Sequence, residues 1–200
     1  MKKIIPLLLM FFAAQFVARA EAVAGKPAPE FTAKDINGQT HRLNDYSGKI
    51  VVLEEYNADC PYCANHFKTG AMQELQGYAT GKGVVWLVVN SANAKSGSYR
   101  PPEQAKKEFA AQKMKATAWF DDSAGTIGRA YGLKTTPHMI VIDQKGLVAY
   151  NGAIDDRAEP EGDPRTARNY VREAVDKLLA GQPVTKTATK PYGCAVKYAR

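Results

Sequence analysis

Residues 57–67 read Asn-Ala-Asp-Cys-Pro-Tyr-Cys-Ala-Asn-His-Phe and follow an apolar run at residues 50–53. The run predicts a buried strand, and Pro61 suits the first turn of a helix because a proline there forfeits no hydrogen bond. Cys60 then stands at the helix start, where unpaired N–H groups and the helix dipole favour a thiolate. Cys63 lies three residues on, within reach of a short disulfide. The spacing predicts a thiol that attacks and a second thiol that resolves.

Two other interpretations of this cysteine pair stay open as alternatives. A zinc site needs a further Cys or His pair at ligand spacing, which the chain lacks, and c-type haem attachment needs His where Ala64 stands. A structural disulfide over so few residues would add little stability, because it closes almost no loop. Redox function therefore fits the pattern best, ahead of metal binding and an inert pair.

The first twenty residues have the composition of a secretory signal peptide. Lys2 and Lys3 precede a short apolar stretch, and Ala18-Arg19-Ala20 supplies the small residues that a signal peptidase reads. We expect cleavage between Ala20 and Glu21, no stable membrane span afterwards, and a periplasmic or secreted protein. Export places the cysteines in an oxidising compartment.

The rest of the 200-residue chain has an ordinary globular composition, with 45% apolar and 24% charged residues. We expect one domain over residues 21–181 and a basic tail over residues 182–200. The net charge of +7 comes from the two ends, because acids and bases balance between residues 21 and 181. This distribution argues against nucleic-acid binding.

The pattern of strands and helices predicts an α/β fold. Residues 50–56 and 84–89 are near-continuous apolar runs, typical of central parallel strands, and residues 139–150 form an antiparallel hairpin. Asn37-Gly38 indicates an earlier hairpin. Asp163 and Pro164 predict the cap and first turn of a last helix, which ends at Gly181.

An acidic residue, Glu54, interrupts the apolar strand before the cysteines. It is either a solvated edge position or a buried carboxylate beneath the helix start, able to take a proton from the resolving thiol. Glu55 faces the other side of the sheet, because successive strand residues alternate. We expect Glu54 to be the catalytic one of the two.

These motifs together resemble the thioredoxin fold, and the longer frame resembles its exported redoxin branch, the TlpA-like and alkyl hydroperoxide reductase/thiol-specific antioxidant proteins. The resemblance covers nearly all of residues 25–181 and implies a central mixed β-sheet flanked by helices, with an N-terminal hairpin extension. The matching pieces are Pro27-Ala28-Pro29-Glu30-Phe31, Asp35-Ile36-Asn37-Gly38, Gly48-Lys49, Asp59-Cys60-Pro61, Thr136-Pro137-His138, and Ile142-Asp143 with Gly146.

The resemblance also implies roles for several residues. Pro137 is expected to be cis and to lie against the cysteines, with the backbone of Thr136 offered to the substrate. Glu54 stands where the family has its buried acid. The reaction needs no metal or organic cofactor, and the expected partners are a protein dithiol or disulfide and an exported electron donor or acceptor protein.

Two alternative functions follow from the same resemblance. A thiol peroxidase would oxidise Cys60 to a sulfenic acid, although Leu53 and Asn57 stand where peroxiredoxins carry proline and Thr or Ser. A Cu or Zn carrier would use both cysteines with His138 or His66, although its relatives space the cysteines one residue wider.

Cys194 is the third cysteine and lies in the basic tail. It is either incidental in a mobile segment or a further exchanging thiol. Cys194, Val196 and Tyr198 alternate with smaller or charged residues, which predicts a strand added to the body. The hypothesis is that the tail docks near the active helix, so that Cys194 resolves or exchanges with Cys60.

Overall fold

The computed structural model describes residues 22–199, so the signal peptide predicted over residues 1–20 lies outside the described residues. The strands are β1 Thr32–Lys34, β2 Thr40–Arg42, β3 Val51–Glu55, β4 Val85–Asn90, β5 Ala118–Asp121, β6 Thr135–Thr136, β7 His138–Ile142, β8 Val148–Gly152 and β9 Cys194–Ala195. The helices are α1 Pro61–Lys68, α2 Ala71–Thr80, α3 Pro102–Ala111, α4 Thr126–Ala130 and α5 Tyr170–Leu179. None of these five helices is long and apolar enough to cross a membrane.

A five-stranded mixed sheet forms the centre of the molecule, in the order β5-β4-β3-β7-β8. Strand β4 runs parallel to β3 and β5, whereas β7 runs antiparallel to β3 and β8. The residues of β3 and β4 are buried throughout, as expected for strands covered on both faces. Strands β1 and β2 form a separate hairpin beside β5. The predicted thioredoxin-like α/β fold with an N-terminal hairpin is confirmed.

Two apolar clusters cover the two faces of this sheet. The larger cluster packs α1, α2, α3 and α5 against one face, and the smaller one packs α4 and the N-terminal residues against the other. Strand β3 divides its side chains between them, with Val52 in the larger cluster and Val51 and Leu53 in the smaller. This alternation decides which acidic residue of β3 faces the cysteine-bearing helix.

The prediction for the start of the last helix was wrong. Asp163 caps only a short 3-10 turn at Pro164–Thr166, where its side chain accepts from the N–H of Arg165. The chain is extended at Ala167, and α5 begins at Tyr170 with Asn169 as its cap. The Asn169 side chain accepts from the N–H of Arg172 at 2.8 Å, so a second local cap starts the helix.

Candidate active site

A tight turn joins β3 to α1 and places Cys60 at the helix start. The side-chain oxygen of Asn57 accepts a hydrogen bond from the N–H of Asp59 at 2.9 Å. The backbone carbonyl of Asn57 accepts one from the N–H of Cys60 at 3.1 Å. Cys60 is the N-cap residue of α1, with extended backbone, and Pro61 is the first helical residue. The sulfur of Cys60 is therefore held where the helix presents its unpaired N–H groups.

The surroundings of Cys60 favour its thiolate. A hydrogen bond donated by the Cys63 thiol lowers the pKa of Cys60 most, and the N–H groups of Cys63 and Cys194 lower it further. Burial acts in the opposite direction, whereas a hydrogen bond from the Thr136 side chain also lowers the pKa of Cys60. These hydrogen bonds outweigh burial, and the pKa of Cys60 lies far below its usual range. The thiol form of Cys60 also has an acceptor, the carbonyl oxygen of Thr136 at 2.9 Å.

Cys63 behaves in the opposite way. Burial raises the pKa of the Cys63 thiol well above its usual value, and the neighbouring Cys60 sulfur raises it further. The N–H of Asn57 partly opposes this effect. One sulfur of the pair is thus ready to attack while the other keeps its proton, which is the division of roles that thiol–disulfide exchange requires.

Glu54 is fully buried and lies on the same side of the sheet as Cys63. Its Oε2 atom accepts hydrogen bonds from Trp86 Nε1 at 2.7 Å and Gln76 Nε2 at 2.9 Å. No donor within residues 22–199 reaches Oε1. Burial raises the pKa of Glu54 to about 7 against the two hydrogen bonds, so this carboxyl can exchange a proton near neutral pH.

Glu55 points to the other face, as alternation predicts. Its carboxylate accepts from the N–H and the hydroxyl of Ser91. The sequence did not predict the two donors to Glu54, Trp86 and Gln76. Gln76 could have been found, because it is a polar residue in the otherwise apolar buried stripe of α2.

The Thr136–Pro137 peptide is cis and faces the cysteine pair. Strand β6 contains Thr136, and its neighbour in the two-stranded pairing is β9 of the tail. In that antiparallel register Thr136 stands opposite Cys194. The structure thus brings Cys60, Cys63, Thr136 and Cys194 into one place.

The histidines do not join this group. His138 pairs with Glu55 across the strands and shares its face, away from Glu54. Its Nδ1 accepts from the N–H of Lys134 at 3.0 Å, and its Nε2 lies 2.7 Å from Asn151 Oδ1. Over residues 22–199 there is no group of three or more His, Cys, Asp or Glu side chains that could hold a metal ion. The predicted metal-carrier alternative is therefore not supported by the geometry.

His66 lies on α1 beside the tail. Its Nε2 is 3.3 Å from the hydroxyl of Tyr192 and 3.7 Å from Asp155 Oδ2. Burial lowers the pKa of His66 to about 4, so the ring is neutral at pH 7. The hydroxyl of Tyr192 donates to Asp155 Oδ1 at 2.5 Å and ties the tail to the body.

Known proteins resemble this chain over most of its length. It is 29% identical to the thiol-disulfide oxidoreductase ResA of Geobacillus thermodenitrificans over 154 residues, which cover 74% of this chain and 83% of that protein. An uncharacterised conserved protein from Geobacillus kaustophilus has a solved structure with a TM-score of 0.79 and 27% identity, covering 89% of this chain and 93% of that one. A hypothetical protein from Sinorhizobium meliloti shares the fold, with a TM-score of 0.76, 22% identity, and coverage of 90% and 97%.

The match to a family model follows the same part of the chain. The model spans residues 24–151, from the N-terminal segment before the hairpin to the last strand of the central sheet. It therefore includes Glu54, both cysteines of the pair and the cis proline. The resemblance to redoxins is confirmed: the chain belongs to the AhpC/TSA family.

Proposed function

We propose that this protein is an exported thiol–disulfide oxidoreductase in which Cys60 attacks and Cys63 resolves. The observation that supports it most is the opposite perturbation of the two thiols, with the pKa of Cys60 lowered and that of Cys63 raised. The similarity to a protein named thiol-disulfide oxidoreductase agrees with it.

The reaction consists of two exchanges at sulfur. The Cys60 thiolate attacks a disulfide of the partner protein, which breaks that bond, forms a mixed disulfide and releases one partner thiolate. Cys63 then attacks the sulfur of Cys60 and releases the second partner thiolate. The partner gains two electrons, and the chain is left with a Cys60–Cys63 disulfide. The reverse sequence oxidises a partner dithiol.

Glu54 acts as the proton acceptor for the second exchange. The thiol of Cys63 must lose its proton to attack, and burial makes that loss costly. Glu54 lies buried on the same side of the sheet with a pKa of about 7, and its Oε1 atom has no hydrogen-bond partner among residues 22–199. A base with this pKa accepts a proton at neutral pH and returns it in the reverse reaction.

Thr136 and Pro137 form the substrate-facing wall. The carbonyl of Thr136 touches the sulfur of Cys60, and the backbone of β6 pairs with β9 of the tail. An extended partner segment that took the place of β9 would bring its own sulfur to Cys60. We expect the partner to be a protein dithiol or disulfide, with a second exported protein as electron donor or acceptor.

We propose that the chain is processed on export. In this proposal residues 1–20 are a signal peptide cleaved before Glu21, residues 21–181 are the redoxin domain, and residues 182–200 are a basic tail. Export would place the protein in the periplasm or outside the cell, where disulfides persist.

Disulfide mapping of the reduced mature protein tests the function. After one equivalent of oxidised glutathione we expect a Cys60–Cys63 disulfide in the Cys194→Ser variant, with no such bond in Cys60→Ser as the control. Failure to form it would overturn the proposal. Hydrogen peroxide is added separately: a reaction orders of magnitude faster than with a free thiol, through a sulfenic acid on Cys60, would show a peroxidase instead.

A further inference from the structure

The tail closes the site that the proposed function needs open. Cys60 and Cys63 are each 0% exposed, although a partner disulfide has to reach Cys60 directly. Strand β9 lies against β6 on the substrate-facing side, and its Cys194 is partly exposed. An external protein therefore meets the tail before it meets the cysteine pair.

The first half of the tail is attached to the end of the central sheet. The N–H of Asn151 donates to the carbonyl of Thr187 at 3.0 Å, and the N–H of Ala153 donates to the hydroxyl of Thr189 at 2.9 Å. Gly152 makes this approach possible, because a Cβ atom there would lie 2.3 Å from the Thr189 hydroxyl. The body therefore has a gap that fits the tail.

The last residues of the tail are attached on the far side of the site. The hydroxyl of Tyr198 donates to the carbonyl of Leu133 at 2.7 Å, and the guanidinium of Arg129 lies 4.5 Å from the Tyr198 ring centre. The N–H of Asn93 donates to the carbonyl of Lys197 at 2.8 Å. With both ends held, β9 is fixed across Cys60.

Strand β9 pairs antiparallel with β6 at the residue that precedes the cis proline. Thr136 stands opposite Cys194, and the backbone N–H of Cys194 is close enough to contribute to lowering the pKa of Cys60. Gly193 allows this close approach, because a Cβ atom there would lie 2.0 Å from the carbonyl oxygen of Thr136. Any other residue at position 193 would separate β9 from β6.

From this arrangement we infer that the tail is an internal substrate: β9 occupies the strand position of an extended, cysteine-bearing peptide, and Cys194 exchanges with Cys60. The inference rests on the proposed function. An external protein partner would present an extended segment that pairs antiparallel to Thr136 and places a cysteine opposite it. That segment would have to displace β9.

The internal exchange is balanced without another reactant. Starting from the Cys60–Cys63 disulfide, the Cys194 thiolate attacks the sulfur of Cys60. The Cys60–Cys63 bond breaks, a Cys60–Cys194 bond forms, and the proton lost by Cys194 ends on Cys63. The disulfide then lies at the partly exposed Cys194, where a partner thiol can reach it.

Disulfide mapping of the full chain in the Cys63→Ser background tests the internal exchange. With one equivalent of oxidised glutathione we expect glutathione to leave again and an intramolecular Cys60–Cys194 disulfide to form. Adding Gly193→Ala should leave at least ten times more glutathione on Cys60, whereas Ala195→Ser, an exposed change in the same strand, should not. Glutathione that stays on Cys60 while Cys194 remains free would overturn the inference.

Alkylation of Cys60 tests whether the tail covers it. In reduced Cys194→Ser protein, Tyr198→Ala should raise the rate of Cys60 modification by iodoacetamide at least tenfold at pH 8. An unchanged rate, with circular dichroism matching the parent, would show that the tail does not control access. The two proposals fail separately, because formation of the Cys60–Cys63 disulfide in Cys194→Ser does not depend on the tail cysteine.

Discussion

The carbonyl oxygen of Thr136 lies 2.9 Å from the sulfur of Cys60. The contact joins the two halves of the site, because one residue precedes the cis proline and the other starts α1. The same Thr136 pairs with β9, so the attacking sulfur, the substrate-facing backbone and the tail meet at one point.

Removal of the Cys63 thiol should weaken the Cys60 thiolate. The hydrogen bond from Cys63 is the largest effect lowering the pKa of Cys60, so we expect Cys63→Ala to raise that pKa by at least one unit. In the parent, the thiolate should persist below pH 7 and disappear only as the pH falls through the lowered pKa. Thiolate absorbance at 240 nm, followed against pH with Cys60→Ser as the blank, measures the pKa of Cys60 in the parent and in Cys63→Ala. Identical titration curves for these two proteins would contradict the prediction.

Glu54→Gln should slow the resolving step without slowing the first attack. The amide cannot take the Cys63 proton, and loss of a positioned base typically costs 10²-fold or more. Rapid-quench measurements of the glutathione mixed disulfide on Cys60, in the Cys194→Ser background, separate the two steps. Gln76→Leu is a useful comparison because it removes one donor to Glu54 and keeps the base. Equal resolving rates in Glu54→Gln and the parent would refute the role.

Glu54→Gln should also be more stable than the parent protein at high pH. The pKa of Glu54 is raised to about 7 in the folded protein, so its contribution to stability is present below the unfolded value near 4.5 and is lost as the pH rises through 7. A shift of that size corresponds to about 3 kcal/mol, from about 1.4 kcal/mol per unit. Urea unfolding should therefore show Glu54→Gln more stable at pH 8 and nearly equal at pH 5; a pH-independent difference would argue against a buried carboxyl that ionises.

Gly152→Ala should loosen the first half of the tail. The added Cβ would lie 2.3 Å from the Thr189 hydroxyl and 2.6 Å from its carbonyl oxygen, and backbone displacement of this kind costs about 1–3 kcal/mol. Hydrogen exchange should rise at Thr189, whose N–H donates to the carbonyl of Asn151. Gly146→Ala serves as a comparison for general destabilisation. Like Gly152, Gly146 has a positive φ that strains any other residue, but a Cβ atom there would meet no atom within 4 Å. Unchanged protection at Thr189 would mean that the gap is not needed.

The sequence by itself determined the features that depend on near neighbours. Cys60 at the start of α1 follows from Pro61 and the helix that it begins, and the opposite faces of Glu54 and Glu55 follow from strand alternation. The alternating strands and helices also predicted the mixed sheet. The predicted start of α5 was wrong, although its cap is also a local feature. Asp163 and Asn169 can both cap a helix, and Asp163, which is followed by a proline, caps only a short turn.

Tertiary structure decided which distant residues meet. Only strand pairing places Cys194 opposite Thr136, and only the order of the sheet puts His138 on the face away from Glu54. The hydrogen-bond donors to Glu54 are Trp86 and Gln76, which lie far along the chain, and burial raises its pKa to about 7 against them. Local sequence fixes the conformation of short segments. The environment of each sulfur and carboxyl depends on contacts between segments that no local pattern encodes.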